Sequence, residues 1–229
     1  MTAPEWMQPL IDAAHESSAW NPVDEDLPED ARRSAVLILF GDGPHGPDVL
    51  LIERSAHLRS HAGQPAFPGG GVDPTDDGPV AAALREAQEE TGLDPDGVEV
   101  VAVFDELWVP PSGNVVTPVL GWWRTPSDVE PADVGEVAAV ARVPVSDLAD
   151  PANRVQVRTP SGRQGPAFTV ADMFVWGFTA GVLSRLLSVG GWELPWDTDR
   201  VVDLPPEVLR LAMRQRRTSS AQPTTNGGA

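Results

Sequence analysis

Three glutamates, Glu86, Glu89 and Glu90, are spaced so that a helix would carry them on nearly one face, at i,i+3 and i,i+4. Like charges packed that closely cost stability unless a cation sits among them. Oxygen-only donors suit hard ions, so the pattern points to Mg²⁺ or Mn²⁺ held by Glu86, Glu89 and Glu90. Arg85 lies four residues before Glu89, within reach to orient that carboxylate rather than to touch a substrate.

A run of glutamates is ordinarily just the solvated face of a helix. This one is punctuated. Gly69, Gly70 and Gly71 precede a short acidic loop, and Asp76 or Asp77 stands ready to cap a helix whose first turn holds Pro79. Gly92 falls where a left-handed residue would end it. The unit resembles the signature of the Nudix hydrolases, Gly-x5-Glu-x7-Arg-Glu-U-x-Glu-Glu-x-Gly-U with U aliphatic. Counted from Gly71, its positions fall on Asp77, Arg85, Glu86, Ala87, Glu89, Glu90, Gly92 and Leu93. Asp77 replaces the family's Glu and is not counted as a ligand. Ala87 is the smallest residue that fills the aliphatic slot.

Upstream, Leu50-Leu51-Ile52-Glu53-Arg54-Ser55 is followed by Arg59, Gly63 and Phe67-Pro68-Gly69-Gly70. This resembles the additional motif of the coenzyme A diphosphatases within the Nudix group, with Ile52 in place of Thr. Coenzyme A carries a 3′-phosphate and a diphosphate bridge, so its recognition calls for fork-shaped cations beside an acidic site. Arg54 and Arg59 suit that role. His57, His61 and Gln64 are further donors in the same loop. Gly69 and Gly70 allow close backbone approach to a diphosphate, or form a structural turn.

The resemblance implies metal-dependent hydrolysis of coenzyme A, or a derivative, to 4′-phosphopantetheine and adenosine 3′,5′-bisphosphate. Glu86 and Glu90, assisted by Glu89, would hold the metal. In several Nudix enzymes a further glutamate downstream ligates metal or activates water; Glu136 fits that place best and Glu106 second. The alternatives are another nucleoside diphosphate derivative, such as NADH or ADP-ribose, and a non-catalytic sensor of coenzyme A or nucleotide.

The 229 residues carry a formal charge of −18, which argues against nucleic-acid or anionic-membrane partners. There is no cysteine, and thus no disulfide or thiolate chemistry. The N-terminus lacks the basic start and apolar stretch of a secretory signal, so the expected location is cytoplasmic.

Apolar runs predict strands over residues 35–40, 48–53, 98–104, 115–123 and 137–142, with strand-like pieces over 155–170. Helices are expected over residues 5–17, 80–91, 171–187 and 204–217. The alternation gives an α/β class, and the resemblance implies an α/β/α sandwich with a mixed sheet between helical layers. The expected organisation is an N-terminal helix and connector over 1–33, a Nudix domain over 34–217 and a disordered tail over 218–229. Trp122 and Trp123 cannot both face inward from one strand, so one needs cover from a terminal helix or from the partner in a homodimer.

Overall fold

A computed structural model describes residues 3–16, 31–58, 61–109 and 112–211. Strands β1 (Arg32–Gly43) and β2 (Gly46–Arg54) form a hairpin that turns at Pro44 and His45, with Phe40 opposite Val49. One edge of β1 runs parallel to β7 (Asn114–Trp123), from Arg32 opposite Asn114 to Phe40 opposite Trp122. The other edge is divided. Its far end pairs with β2, while Ser34, Ala35 and Val36 pair antiparallel with Gly71, Gly70 and Gly69 of β4 (Gly69–Gly71). The strands β3 (Pro65–Ala66) and β8 (Val137–Pro144) join β2, and β5 (Val98–Val103) and β6 (Leu107–Val109) join β7. The result is the mixed sheet of an α/β fold.

The period-two alternation of the strands builds a core on each face. Ala35, Leu37 and Leu39, with Val119 and Trp123, meet Ala82, Ala83 and Ala87 of the acidic helix. Ala87 is fully buried, and a small residue there lets the helix lie against the strands. Ile38, Phe40, Leu120 and Trp122 face the other way. They are covered by α1 (Gln8–His15), α3 (Val145–Ala149) and α4 (Gly177–Val189), through residues such as Leu10, Leu148 and Leu183. Each fully buried Leu contributes roughly 1.5–3 kcal/mol.

Trp123 lies under the acidic helix, and Trp122 is covered by the N-terminal segment. The Trp6 ring meets Trp122 edge-on at 5.7 Å, Phe40 at 5.9 Å and Trp192 at 5.7 Å. Of the two covers expected for the outward tryptophan, the terminal segment supplies it within one chain.

A second sheet orders β11 (Met173–Val175), β10 (Gln164–Val170), β9 (Arg154–Arg158) and β12 (Val201–Asp203). It corrects the helix expected over 171–187. Ala171 and Asp172 have φ of 48° and 60°, forming a tight hairpin turn, and Met173 to Val175 pair back on β10. The helix begins only at Gly177. The run was apolar enough to read as a buried helix, but its β-branched and aromatic residues favour a strand. Residues 206–211 are helical. The remainder of that expected helix, the tail and most of the 18–33 connector lie outside the described residues. Among those described, no helix is long and apolar enough to cross a membrane.

Candidate active site

The acidic helix, α2 (Gly78–Thr91), starts with Pro79 in its first turn and ends at Gly92, whose φ is 70° and whose N–H donates to the Gln88 carbonyl at 2.9 Å. Asp77 occupies the cap position, but no side chain caps the helix N-terminus. Asp76 is used differently. It takes the Arg85 fork at 3.0 Å on each oxygen and accepts the Asp73 N–H at 2.8 Å. Those contacts, Arg85 first, hold its carboxyl below the usual range and raise Arg85 above its own. The guanidinium also donates to the Gly71 carbonyl at 3.1 Å, to Glu86 at 3.1 Å and to Glu89 at 2.9 Å. Arg85 therefore welds the glycine loop to the helix and aims two of its glutamates, beyond the single partner its spacing suggested.

Glu90 points into the fold and is only 2% exposed. One carboxylate oxygen accepts the Gly69 N–H at 2.9 Å, and the other accepts Arg54 Nη1 at 3.0 Å. Burial pushes its pKa up to about 7, and the charges of Glu86 and Glu136 add to the rise, against the pull of Gly69 and Arg54. Glu86 is half-buried and is likewise raised, by burial first and then by Glu89 and Glu136, with Arg85 opposing. Glu89 is the outlier: its side chain is 58% exposed and turned to Arg85.

Two of the three glycines are explained by close contacts, one with a carboxylate and one with the backbone of β1. A Cβ at Gly70 would sit 2.4 Å from the Glu86 carboxyl, and one at Gly69 would sit 2.3 Å from the Ala35 carbonyl oxygen. Gly69 also has a φ of +156°, at the margin of what side-chain-bearing residues adopt. Gly71 faces open space.

Glu136 is exposed at the start of β8, and its charge is felt by both Glu86 and Glu90. Its carbonyl accepts the Ser55 N–H at 2.7 Å, which binds this strand to the upstream motif. Glu106, the second candidate, is committed to an ion pair with Arg33. His61 pairs through Nδ1 with the Gln64 side chain at 2.9 Å. Arg59 lies outside the described residues.

Two features escaped sequence reasoning. The 125–133 connection does more than cross the surface: the Glu130 and Ala132 N–H groups cap the Thr91 and Glu90 carbonyls at 3.0 and 3.1 Å. Arg54 reaches a glutamate 36 residues away, whereas the only acid adjacent to it in sequence was Glu53. A β-bulge between Glu53 and Arg54 shifts the strand register there. No local spacing signals either contact.

Among the described residues no three acidic or histidine side chains converge closely enough to hold a metal ion between them. Two carboxylates do fit such an ion. Glu86 and Glu90 are one turn apart on α2, the Glu86 charge helps to raise Glu90, and both stay raised despite their arginines. Mg²⁺ commonly takes one or two carboxylates and completes its shell with water and phosphate oxygens. Glu86 and Glu90 would supply them, with Glu89 at the solvent edge.

The family description "NUDIX domain" matches residues 30–161, more than half of the chain. The chain is 41% identical over 170 residues to "Uncharacterized Nudix hydrolase NudL" of Escherichia coli O7:K1, an alignment covering 69% of this chain and 83% of that protein. The protein of the same name in Shigella flexneri serotype 5b is 41% identical over 174 residues, with 71% and 85% covered. The fold is shared with the crystal structure of RenU, a Nudix hydrolase from M. smegmatis, at a TM-score of 0.50 and 23% identity, covering 73% of this chain and 90% of that one. This chain belongs to the Nudix hydrolases. It is a hydrolase of the class that acts on nucleoside diphosphate derivatives and generally uses divalent metal ions.

Proposed function

We propose that this chain hydrolyses the diphosphate linkage of coenzyme A or its derivatives in the presence of Mg²⁺ or Mn²⁺. One observation carries the reading. Arg54 of the motif that resembles the coenzyme A diphosphatases rests on Glu90 of the Nudix helix at 3.0 Å, so both signatures serve one site. Water adds to one phosphorus as the bridging P–O bond breaks, giving 4′-phosphopantetheine and adenosine 3′,5′-bisphosphate.

A divalent ion, when bound, supplies Lewis acidity and lowers the pKa of a coordinated water. The chain's own residues do the rest. Glu86 and Glu90 offer the oxygen donors, and Arg85 keeps Glu86 and Glu89 in place. Glu136, which makes no ion pair among the described residues, stands at the mouth as the acceptor for the water proton. Arg54 and Arg59 neutralise phosphate charge, Arg54 from its seat beside Glu90. A cytoplasmic location agrees with the substrate, and the 34–217 segment is the catalytic unit.

Mass spectrometry of the products from coenzyme A, with and without Mn²⁺ or Mg²⁺, tests this directly. Metal-dependent appearance of the two named products is expected. Equal turnover of coenzyme A, dephospho-coenzyme A and NADH would remove the substrate assignment while keeping the hydrolase. Tight binding without product would leave a sensor. Arg59→Ala should raise the KM for coenzyme A more than that for dephospho-coenzyme A, which lacks the 3′-phosphate.

A further inference from the structure

The helical residues 206–211 lie far along the chain from the acidic helix, yet they touch the segment that holds it. Val208 and Leu209 pack on the second sheet with Phe174, Trp176 and Val202, which anchors this short helix. Its last described residue, Leu211, faces Gly63. A Cβ added at Gly63 would land 2.5 Å from Leu211 Cδ1, so the two residues lie in close contact and a side chain there would push Leu211 aside. Gly63 also has a φ of +62°, a second reason for glycine.

Gly63 in turn closes on Arg54 by backbone. The Gly63 N–H donates to the Arg54 carbonyl at 2.9 Å, and the Arg54 N–H donates to the Gln64 carbonyl at 3.1 Å. From that clasp the Arg54 guanidinium reaches Glu90, whose other oxygen is held by Gly69. The contacts run without a gap from Leu211 through Gly63 and Arg54 to a carboxylate of the site.

We propose that Leu211 is a positioning residue for the active site: seated on Gly63, it buttresses the Arg54 clasp and so fixes the Glu90 carboxylate for its metal ion. The second sheet and the helix it carries thereby set the metal affinity of a site built on the first sheet. This rests on the metal role proposed for Glu90. A carboxylate already fixed loses less freedom when an ion binds, so loosening the buttress weakens binding. Coupling carried through packed side chains and hydrogen bonds ordinarily changes affinity by a few-fold to about thirtyfold.

The test is Mn²⁺ affinity of the full chain without substrate, read by the loss of the free-ion electron paramagnetic resonance signal. Leu211→Ala should raise the Mn²⁺ dissociation constant about tenfold. Its kcat should return to near the wild-type value at saturating Mn²⁺, and Leu211→Met should restore the affinity. In an Arg54→Ala background the Leu211→Ala change should have no further effect, because the link is already cut. Circular dichroism of each variant reports whether the fold is kept. Unchanged Mn²⁺ affinity in folded Leu211→Ala, or full additivity with Arg54→Ala, would overturn the buttress alone. Wild-type protein that takes up no Mn²⁺ would instead remove the metal reading, and the buttress with it.

Discussion

Glu90→Gln offers a quantitative test of the buried carboxylate that needs no substrate. In the metal-free protein burial pushes the pKa of Glu90 up to about 7 from an ordinary 4.5. Below the ordinary value both folded and unfolded chains hold the proton, and the group contributes nothing to the pH dependence. Between the two values the unfolded chain releases the proton while the native state keeps it, so stability falls as pH rises. Above about 7 both are ionised, and the loss is complete. At roughly 1.4 kcal/mol per unit, the part of this fall lying between pH 5 and 8 comes to about 2–3 kcal/mol. Urea denaturation in chelator at several pH values across that window should show the fall in wild-type protein. Glu90→Gln should remove most of it, leaving the smaller slope from Glu86, Asp48 and Glu53, which are also raised. Mn²⁺ should flatten the wild-type curve as well, since a bound cation favours the ionised carboxylate. Parallel wild-type and Glu90→Gln curves, or wild-type stability that rises from pH 5 to 8, would refute the account of Glu90 as a charge confined by the fold.

Gly70→Ala places a methyl 2.4 Å from the Glu86 carboxyl and should displace it. Turnover is expected to fall about a hundredfold, the usual consequence of a misplacement of about 1 Å, with the circular dichroism spectrum unchanged. Arg85→Lys keeps the charge but loses the fork on Asp76, and should weaken Mn²⁺ binding roughly 10–100-fold by titration calorimetry. Trp6→Ala strips the ring contacts with Phe40, Trp122 and Trp192 and should lower stability by about 2–4 kcal/mol in urea, while leaving KM alone.

The acidic helix was legible because its information is local. Glutamates at i,i+3 and i,i+4, a proline in the first turn and a glycine at the end are all set by the helix's own geometry, and each was found in place. The strands of the first sheet were legible for the same reason, through alternation. Most of what the sequence withheld depends on two distant segments meeting. The glycine triplet reads as a flexible approach to phosphate, yet two of its members are small because Glu86 and β1 press against them. Asp76 reads as a cap, but it lies within reach of the Arg85 fork, a charged donor that a carboxylate favours over a neutral N–H. The turn at Ala171 and Asp172 carries none of the glycine or asparagine that usually marks left-handed backbone, so the hairpin was hidden inside an apolar run. Arg54 shows the consequence for function most clearly. Its sequence neighbours cast it as a phosphate donor, and the fold seats it on the least exposed glutamate of the site. A cation so placed balances Glu90 in the fold, and in the reaction we propose it would also lie beside the substrate phosphates, so that one arginine would serve both the folding and the chemistry of the same carboxylate.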